Sequence, residues 1–418
     1  MKKINLLLMS LMALLMTCFT ACENQYEVDH TAELVGTWTY IGPNYAEALV
    51  FNADGTVLST GVEDGEYWEN VAGTYVIKGN VVTMNFEDDD NVKGHIDVVP
   101  GIAFTVYEED GENWTFNYCA EDLSEEIVGM WVCTYVSTNN EDFNVYQDAE
   151  MAINTYKADG KSIFTGLVIE ANDYMANVES TYKVIGDLML ESNPLGEGVF
   201  QYNAFRLTYS PNSNQLGDML TKTSVMAFGD EVIEFNASMV RVKEGLNLAG
   251  KGYYYHDVFV SNVDGVDQDI DFMGYTFNFA KMTNSELNKL LNSLLFNVEF
   301  PNANTIQYIY MYNNAKEVLE APIAVEGNKL TVKMSANEPA LKDVVFYAFQ
   351  DADCSQLHFY MHKTAFVNFY TNMQAMLMAA TDEQFDITNA EAVNAIYNEI
   401  NNTVQSINVS LVMENAAK

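Results

Sequence analysis

The chain has 418 residues, with 59 acidic against 20 basic side chains and a formal net charge of -39. That balance excludes nucleic acid, acidic glycans and anionic lipid surfaces as electrostatic partners. Hydrophobic residues make up 49%, enough for a core, so the chain is not a disordered acidic tail, and its length allows roughly two or three domains. The 25 Tyr, 23 Phe and 24 Gly against only 7 Pro suit a β-rich globular protein.

Residues 1–21 read as an export signal. Lys2 and Lys3 form a short positive region, Ile4 to Met16 is almost wholly apolar, and Phe19-Thr20-Ala21-Cys22 follows. The apolar run is too short for a spanning helix and ends in small residues before polar chain. Thr20-Ala21-Cys22 resembles the lipobox of bacterial lipoproteins, with Phe19 standing where an aliphatic residue is usual. The resemblance implies that Cys22 is acylated and becomes the mature N-terminus, a firm anchor because more than one chain is attached. Residues 22–30 are a polar, acidic tether. Its acidic residues resemble surface-export signals of Gram-negative lipoproteins. The expected location is therefore the outer membrane of a Gram-negative bacterium, facing outward, with the lipid as the only membrane contact.

Cys119, Cys133 and Cys354 remain in the mature chain, an odd number that gives no complete disulfide framework. A Cys119–Cys133 bridge and buried free thiols are both open readings.

The body of the chain carries an internal repeat. Leu34-Val35-Gly36-Thr37-Trp38 matches Ile127-Val128-Gly129-Met130-Trp131, Ala53-Asp54-Gly55 matches Ala158-Asp159-Gly160, and Thr74-Tyr75 with Gly79 matches Thr181-Tyr182 with Gly186. The order is kept while the loops lengthen, as expected for one module duplicated. Module 1 is placed at residues 31–120 and module 2 at 121–245. Residues 47–61 alternate into the Asp54-Gly55 turn, 73–86 turn at Gly79-Asn80, and 103–118 turn at Asp110-Gly111. In module 2, residues 181–190, 200–209 and 232–242 read likewise. Short strands in hairpin order predict antiparallel barrels or sandwiches.

Gly-x-Trp opening the first strand of each module resembles the start of the lipocalin and calycin barrels. Together with the lipobox and the Asp-Gly hairpin it is similar to the lipocalin-like modules of Gram-negative surface lipoproteins. The resemblance covers residues 34–242. It implies that Trp38 and Trp131 pack across a closed barrel end, with Arg241 of the last strand over Trp131 as a cation–π partner. The chain has two arginines, Arg206 and Arg241, so module 1 lacks that part of the pattern.

Residues 246–418 read as a divergent α+β barrel-like module with about three helices. Gly250-Lys251-Gly252-Tyr253 stands where a third Gly-x-aromatic start falls, and Gly327-Asn328 resembles the Gly79-Asn80 turn. Thr283 with Glu286, and Thr388 with Glu391, predict capping boxes at two helix starts. A third helix is predicted over roughly 364–380, and Ile407, Val409, Leu411 and Met413 alternate as a closing strand. The predicted class is mainly β, tandem lipocalin-like barrels followed by this C-terminal β-rich domain.

Candidate chemistry is sparse. His358 and His362 would share a helix face, but the aromatic context favours a strand, where they stand too far apart for one ion. His256-Asp257 lacks a Gly-x-Ser-x-Gly nucleophile, and adjacent strand residues face opposite ways. The acid runs Glu87 to Asp90 and Asp264 to Asp271 lack the glycine placement of a calcium loop and read as solvated loops. No catalytic residue, metal or cofactor is expected. Candidate ligand contacts are Tyr67 and Trp68, on an insert absent from module 2, and Met373 and Met376, on a methionine- and aromatic-rich helix.

These features lead to a non-enzymatic surface lipoprotein that binds a small apolar ligand or a partner protein. Neutral-glycan binding within a nutrient-uptake system is the second reading, and a hydrolase with an unrecognised carboxylate pair the third. Protease treatment of intact cells should digest the anchored protein, and full protection would refute outward exposure.

Overall fold

The computed structural model describes residues 30–415 apart from 88–90, 109–110, 140, 144–150, 169–172, 197–198, 212–216, 229–230, 265–269, 273–274, 279–283, 294, 313, 352 and 383. The export segment, Cys22 and the tether through residue 29 lie outside the described residues. So do Thr283, Asp88 to Asp90, Asp110, Asp267 and Asp269.

The chain is mainly β and forms three closed antiparallel barrels of eight strands, spanning Gly36–Cys119, Gly129–Val242 and Lys251–Asn415. In barrel 2 the short Glu141–Phe143 strand extends the sheet beyond its closed ring. Barrel 1 is one compact unit, and barrels 2 and 3 together form another.

The three matched motifs assemble into the same structure in barrels 1 and 2. Trp38 donates its indole N–H to the Leu34 carbonyl at 2.7 Å, and Trp131 donates to the Ile127 carbonyl at 2.7 Å. Both indoles are fully buried. The Asp-Gly turns are also equivalent. Asp54 accepts from the Thr56 N–H and Asp159 from the Lys161 N–H. The matched tyrosines fasten each turn, Tyr75 to the Gly55 and Asn52 carbonyls and Tyr182 to those of Gly160 and Lys157. The repeat therefore encodes one barrel end twice, with its main-chain acceptors satisfied from within.

What covers the indole differs between the two barrels. Arg241 pairs with Trp131 across the closing strands, its guanidinium 4.3 Å from the ring centroid. It also donates to the Val128 and Glu126 carbonyls and pairs with Asp218 at 3.1 Å. In barrel 1 Tyr118 occupies the same register opposite Trp38, and its ring lies 4.9 Å from the indole. The arginine missing from module 1 is thus replaced by a second flat group. Gly36 and Gly129 have φ of +136° and +138°. A Cβ there would come within 2.8 Å of Tyr118 and 2.7 Å of Arg241 respectively, so the covering group requires glycine at both positions.

Strand alternation fills the barrels from their own walls. Leu49, Phe51, Val57, Met84 and Phe104 pack around Trp38 in barrel 1, and Tyr156, Met189, Leu220 and Met239 around Trp131 in barrel 2. Barrel 2 also encloses an ion pair. Lys222 is buried, 3.2 Å from Glu191 and 3.0 Å from the Tyr156 hydroxyl, with the Phe205 ring 3.9 Å from its Nζ. Ser162 donates to the other Glu191 oxygen.

Barrel 3 keeps the turn logic. Asn328, after Gly327 at φ +59°, accepts from the Ala348 N–H as Asn80 accepts from Ile96. Tyr253 replaces the tryptophan, buried and bonded by Gln350 Nε2 at 2.6 Å. The helices are Asn284–Ser293, inserted after the first barrel strand, and Lys363–Thr381 and Ala390–Thr403, inserted before the last. Two four-residue turns of helix, Thr31–Leu34 and Met334–Asn337, complete the helical content of the described residues.

Two readings are corrected here and one open choice is resolved. The Ala390–Thr403 helix is capped by Asn389, which accepts from the Glu391 and Ala392 N–H groups, while Thr388 turns back to Asp386. His358 lies in the Gln356–Met361 strand, but His362 starts the next helix, so the two do not share a strand face. Cys119, Cys133 and Cys354 are free thiols. Burial pushes the Cys119 and Cys133 thiols up to about 11.

The enclosed pair in barrel 2 yields a stability test. Lys222→Met leaves Glu191 buried without its cation and should cost roughly 3–5 kcal/mol, whereas the double variant Lys222→Met, Glu191→Leu should recover most of it. Urea unfolding of the two variants measures this, and equal losses would contradict it.

Candidate functional site

The helix Lys363–Thr381 follows directly on a barrel strand. Its first residue comes after His362, which is buried with Nδ1 2.9 Å from the Asn408 amide oxygen. Burial drops the His362 pKa to about 3, and that of His358 likewise, so both are neutral. His358 stacks on Phe349 at 4.4 Å and is a packing residue. Along the helix Phe366, Phe369, Tyr370, Met373 and Met376 recur at three- and four-residue steps and make one face.

That face and the inner wall of barrel 3 enclose a cavity of about 300 Å³. Inward residues of the barrel wall, including Tyr308, Tyr310, Val332, Phe346, Phe359 and Leu411, form its other side, and Leu287 and Leu291 of the Asn284–Ser293 helix contribute as well. Its size is at the lower end of the ~300–1,000 Å³ of small-molecule sites. The surface that faces the cavity is almost wholly apolar, and two of the polar lining residues are held by partners outside it. Asn372 accepts from the Lys342 N–H and donates to the Lys342 carbonyl, at 2.8 and 2.7 Å. The Tyr370 hydroxyl accepts from Gln374. Burial pushes the Tyr308 phenol well above its ordinary pKa and also raises Tyr310 and Tyr370. Phe369 and Leu319 are exposed and border the opening.

Met373 and Met376, singled out in the sequence, both line this cavity. Tyr67 and Trp68 lie elsewhere, half-buried in barrel 1, in the second and third residue pairs after the Asp64-Gly65 turn. Trp68 faces inward, donates its N–H to Ser59 at 2.7 Å and stacks on Tyr45, and its ring covers Gly61 so closely that a Cβ there has no room. Its surface is committed to the barrel. His256 is exposed and pairs with Glu414 at 3.3 Å. Among the described residues no three His, Cys, Asp or Glu side chains converge on a metal site.

The inward carboxyl of barrel 1 went unread in the sequence. Glu47 is buried and accepts from Ser59 at 2.5 Å and from the Tyr45 hydroxyl, and the Tyr45 ring packs against Tyr40 and Trp114. The alternation Tyr45, Glu47, Leu49, Phe51 was the available signal, since it puts Glu47 on the inner face. Burial raises its pKa, opposed by the two hydrogen bonds and reinforced by Glu63 and Glu108.

No protein-family model matches the chain, and no curated protein matches it. Among solved structures it is similar to a candidate outer membrane protein of Bacteroides fragilis, with 11% identity over 52% of this chain and 100% of that one, TM-score 0.16. It is also similar to the isotype 1 transferrin-binding protein B of serogroup B Neisseria meningitidis, with 9% identity over 90% of this chain and 66% of that one, TM-score 0.21. Scores of this size show no shared overall arrangement.

Glu47 binds its proton more tightly in the fold than in the unfolded chain. Its contribution to stability is therefore present below the ordinary carboxylate range and lost as pH rises through its raised folded value. Glu47→Gln should raise the melting temperature of barrel 1 at pH 7 and change it little at pH 4. An equal drop at both pH values would refute this.

Proposed function

We infer that the protein is a non-enzymatic, lipid-anchored outer-membrane protein that holds a small apolar ligand in its C-terminal barrel. The observation that carries this reading is the apolar cavity under the Lys363–Thr381 helix, in a fold whose other barrels are built around large buried side chains. A cavity whose surface is almost wholly apolar gains from excluding water and favours holding a ligand over activating a substrate. The Thr20-Ala21-Cys22 pattern supports the anchor, and the net charge of -39 supports solubility and repulsion from an anionic surface rather than adhesion to it. Among the described residues no helix is long and apolar enough to cross a membrane. The commitment of Trp68 to Ser59 and Gly61 weighs against a glycan stacked on Tyr67 and Trp68.

A neutral fluorescent probe such as N-phenyl-1-naphthylamine should bind the full chain saturably. Met376→Trp, which fills the cavity, should weaken binding by about tenfold or more, a cost of ~1.4 kcal/mol, while Trp68→Ala leaves it unchanged. Probe binding insensitive to Met376→Trp, or abolished by Trp68→Ala, would overturn the reading. So would turnover on a broad hydrolase panel.

A further inference from the structure

We propose that the barrel 3 cavity takes the single unbranched hydrocarbon chain of a neutral amphiphile, with the polar head left outside at Phe369 and Leu319. The proposal rests on the apolar-ligand reading above and narrows it.

The lining is apolar. Almost none of the surface facing the cavity is polar, the Asn372 amide is spent on the Lys342 main chain and the Tyr370 hydroxyl accepts from Gln374. A polar ligand atom drawn inside would lose its water and meet little polar surface in return. Only hydrocarbon suits the interior, and any head group stays at the opening, where Phe369 and Leu319 are exposed.

Size and compliance narrow the choice. The volume is about 300 Å³. At roughly 30 Å³ for each group of water size in a liquid, this holds on the order of ten chain carbons. Met334, Met361, Met373 and Met376 all border the space. Thioether side chains adjust to a flexible chain, and they do not impose the flat slot that selects a rigid ring system.

Charge points the same way. Among the described residues no Lys, Arg or His lines the cavity. The nearby charges that act on the lining phenols are the carboxylates Glu317, which raises Tyr310, and Glu399, which raises Tyr370. An anionic head at the opening meets like charge, while the neighbouring cations are already engaged, Lys342 by Asn394 and Lys333 by Asp343. A fatty-acid carboxylate is therefore disfavoured against a neutral head such as a glycerol ester.

The test is displacement of the neutral naphthylamine probe from the full chain by 1-monoacylglycerols of six to fourteen carbons. Fatty acids of matched length at pH 8 and a compact polycyclic hydrocarbon complete the set. Affinity for the esters should rise about threefold to fourfold per methylene, the equivalent of ~0.8 kcal/mol, and level off near ten carbons. The matched carboxylates should bind about tenfold more weakly or worse, an effect of ~1.4 kcal/mol. Met373→Phe should shorten the optimum chain, and the length series in the unaltered protein stands whether or not that variant folds. Affinity independent of chain length, equal binding of carboxylates, or preference for the polycyclic compound would overturn the proposal while leaving an apolar site in place. Failure of the probe and of every chain to bind would remove the site itself.

Discussion

Closing eight antiparallel strands leaves an interior just wide enough for side chains. Each inward position must therefore be filled by the wall, by an inserted segment or by a guest. The three barrels meet this requirement differently. Barrel 1 uses Trp38, Phe51 and Phe104 at one end and Glu47, held by Ser59 and Tyr45, at the other. Barrel 2 uses Trp131 and then a charged pair, Lys222 with Glu191, made tolerable by Tyr156, Ser162 and the Phe205 face. Barrel 3 has Tyr253 in place of the tryptophan and admits helical segments to cover its walls, and the fit between helix and wall leaves room.

The duplicated barrel end shows which part of the pattern is essential. In both copies the indole N–H reaches back four residues to a carbonyl, and a glycine at positive φ makes space for a flat covering group. The covering group is a guanidinium in one copy and a phenol in the other. Shape and polarisable contact are common to both, and positive charge is not. Arg241 does more than cover the ring, because it also satisfies the Val128 and Glu126 carbonyls. In barrel 1 the indole is covered without any cation.

Much of the fold was legible because it is written in short-range signals. Asp54-Gly55 and Gly79-Asn80 announce their hairpins through turn chemistry alone, and the ordered repeat made the second barrel follow from the first. The third barrel was legible only in outline, since its Gly327-Asn328 turn survives while its opening keeps a buried aromatic, Tyr253, in place of the tryptophan. Asn389 was passed over as a cap because Thr388 and Glu391 spell a capping box, and the choice between neighbours depends on backbone angles that Asp386 sets. The candidate site was half legible. The methionine and aromatic face of the Lys363–Thr381 helix could be read from its period, but not that it would face a space instead of a filled core, because that depends on strands distant in sequence. Trp68 was legible as an aromatic beside a turn, but not that pairing with Gly61 turns its ring inward.

The proposed function requires the apolar space in barrel 3 to admit an uncharged guest. Such cavities take up xenon, which needs only dispersion contacts. A crystal of the full chain pressurised with xenon should show the gas between Met373, Met376 and the Phe346 and Phe359 wall. A barrel 3 interior that stays free of xenon, with side chains closed over that position, would contradict the account.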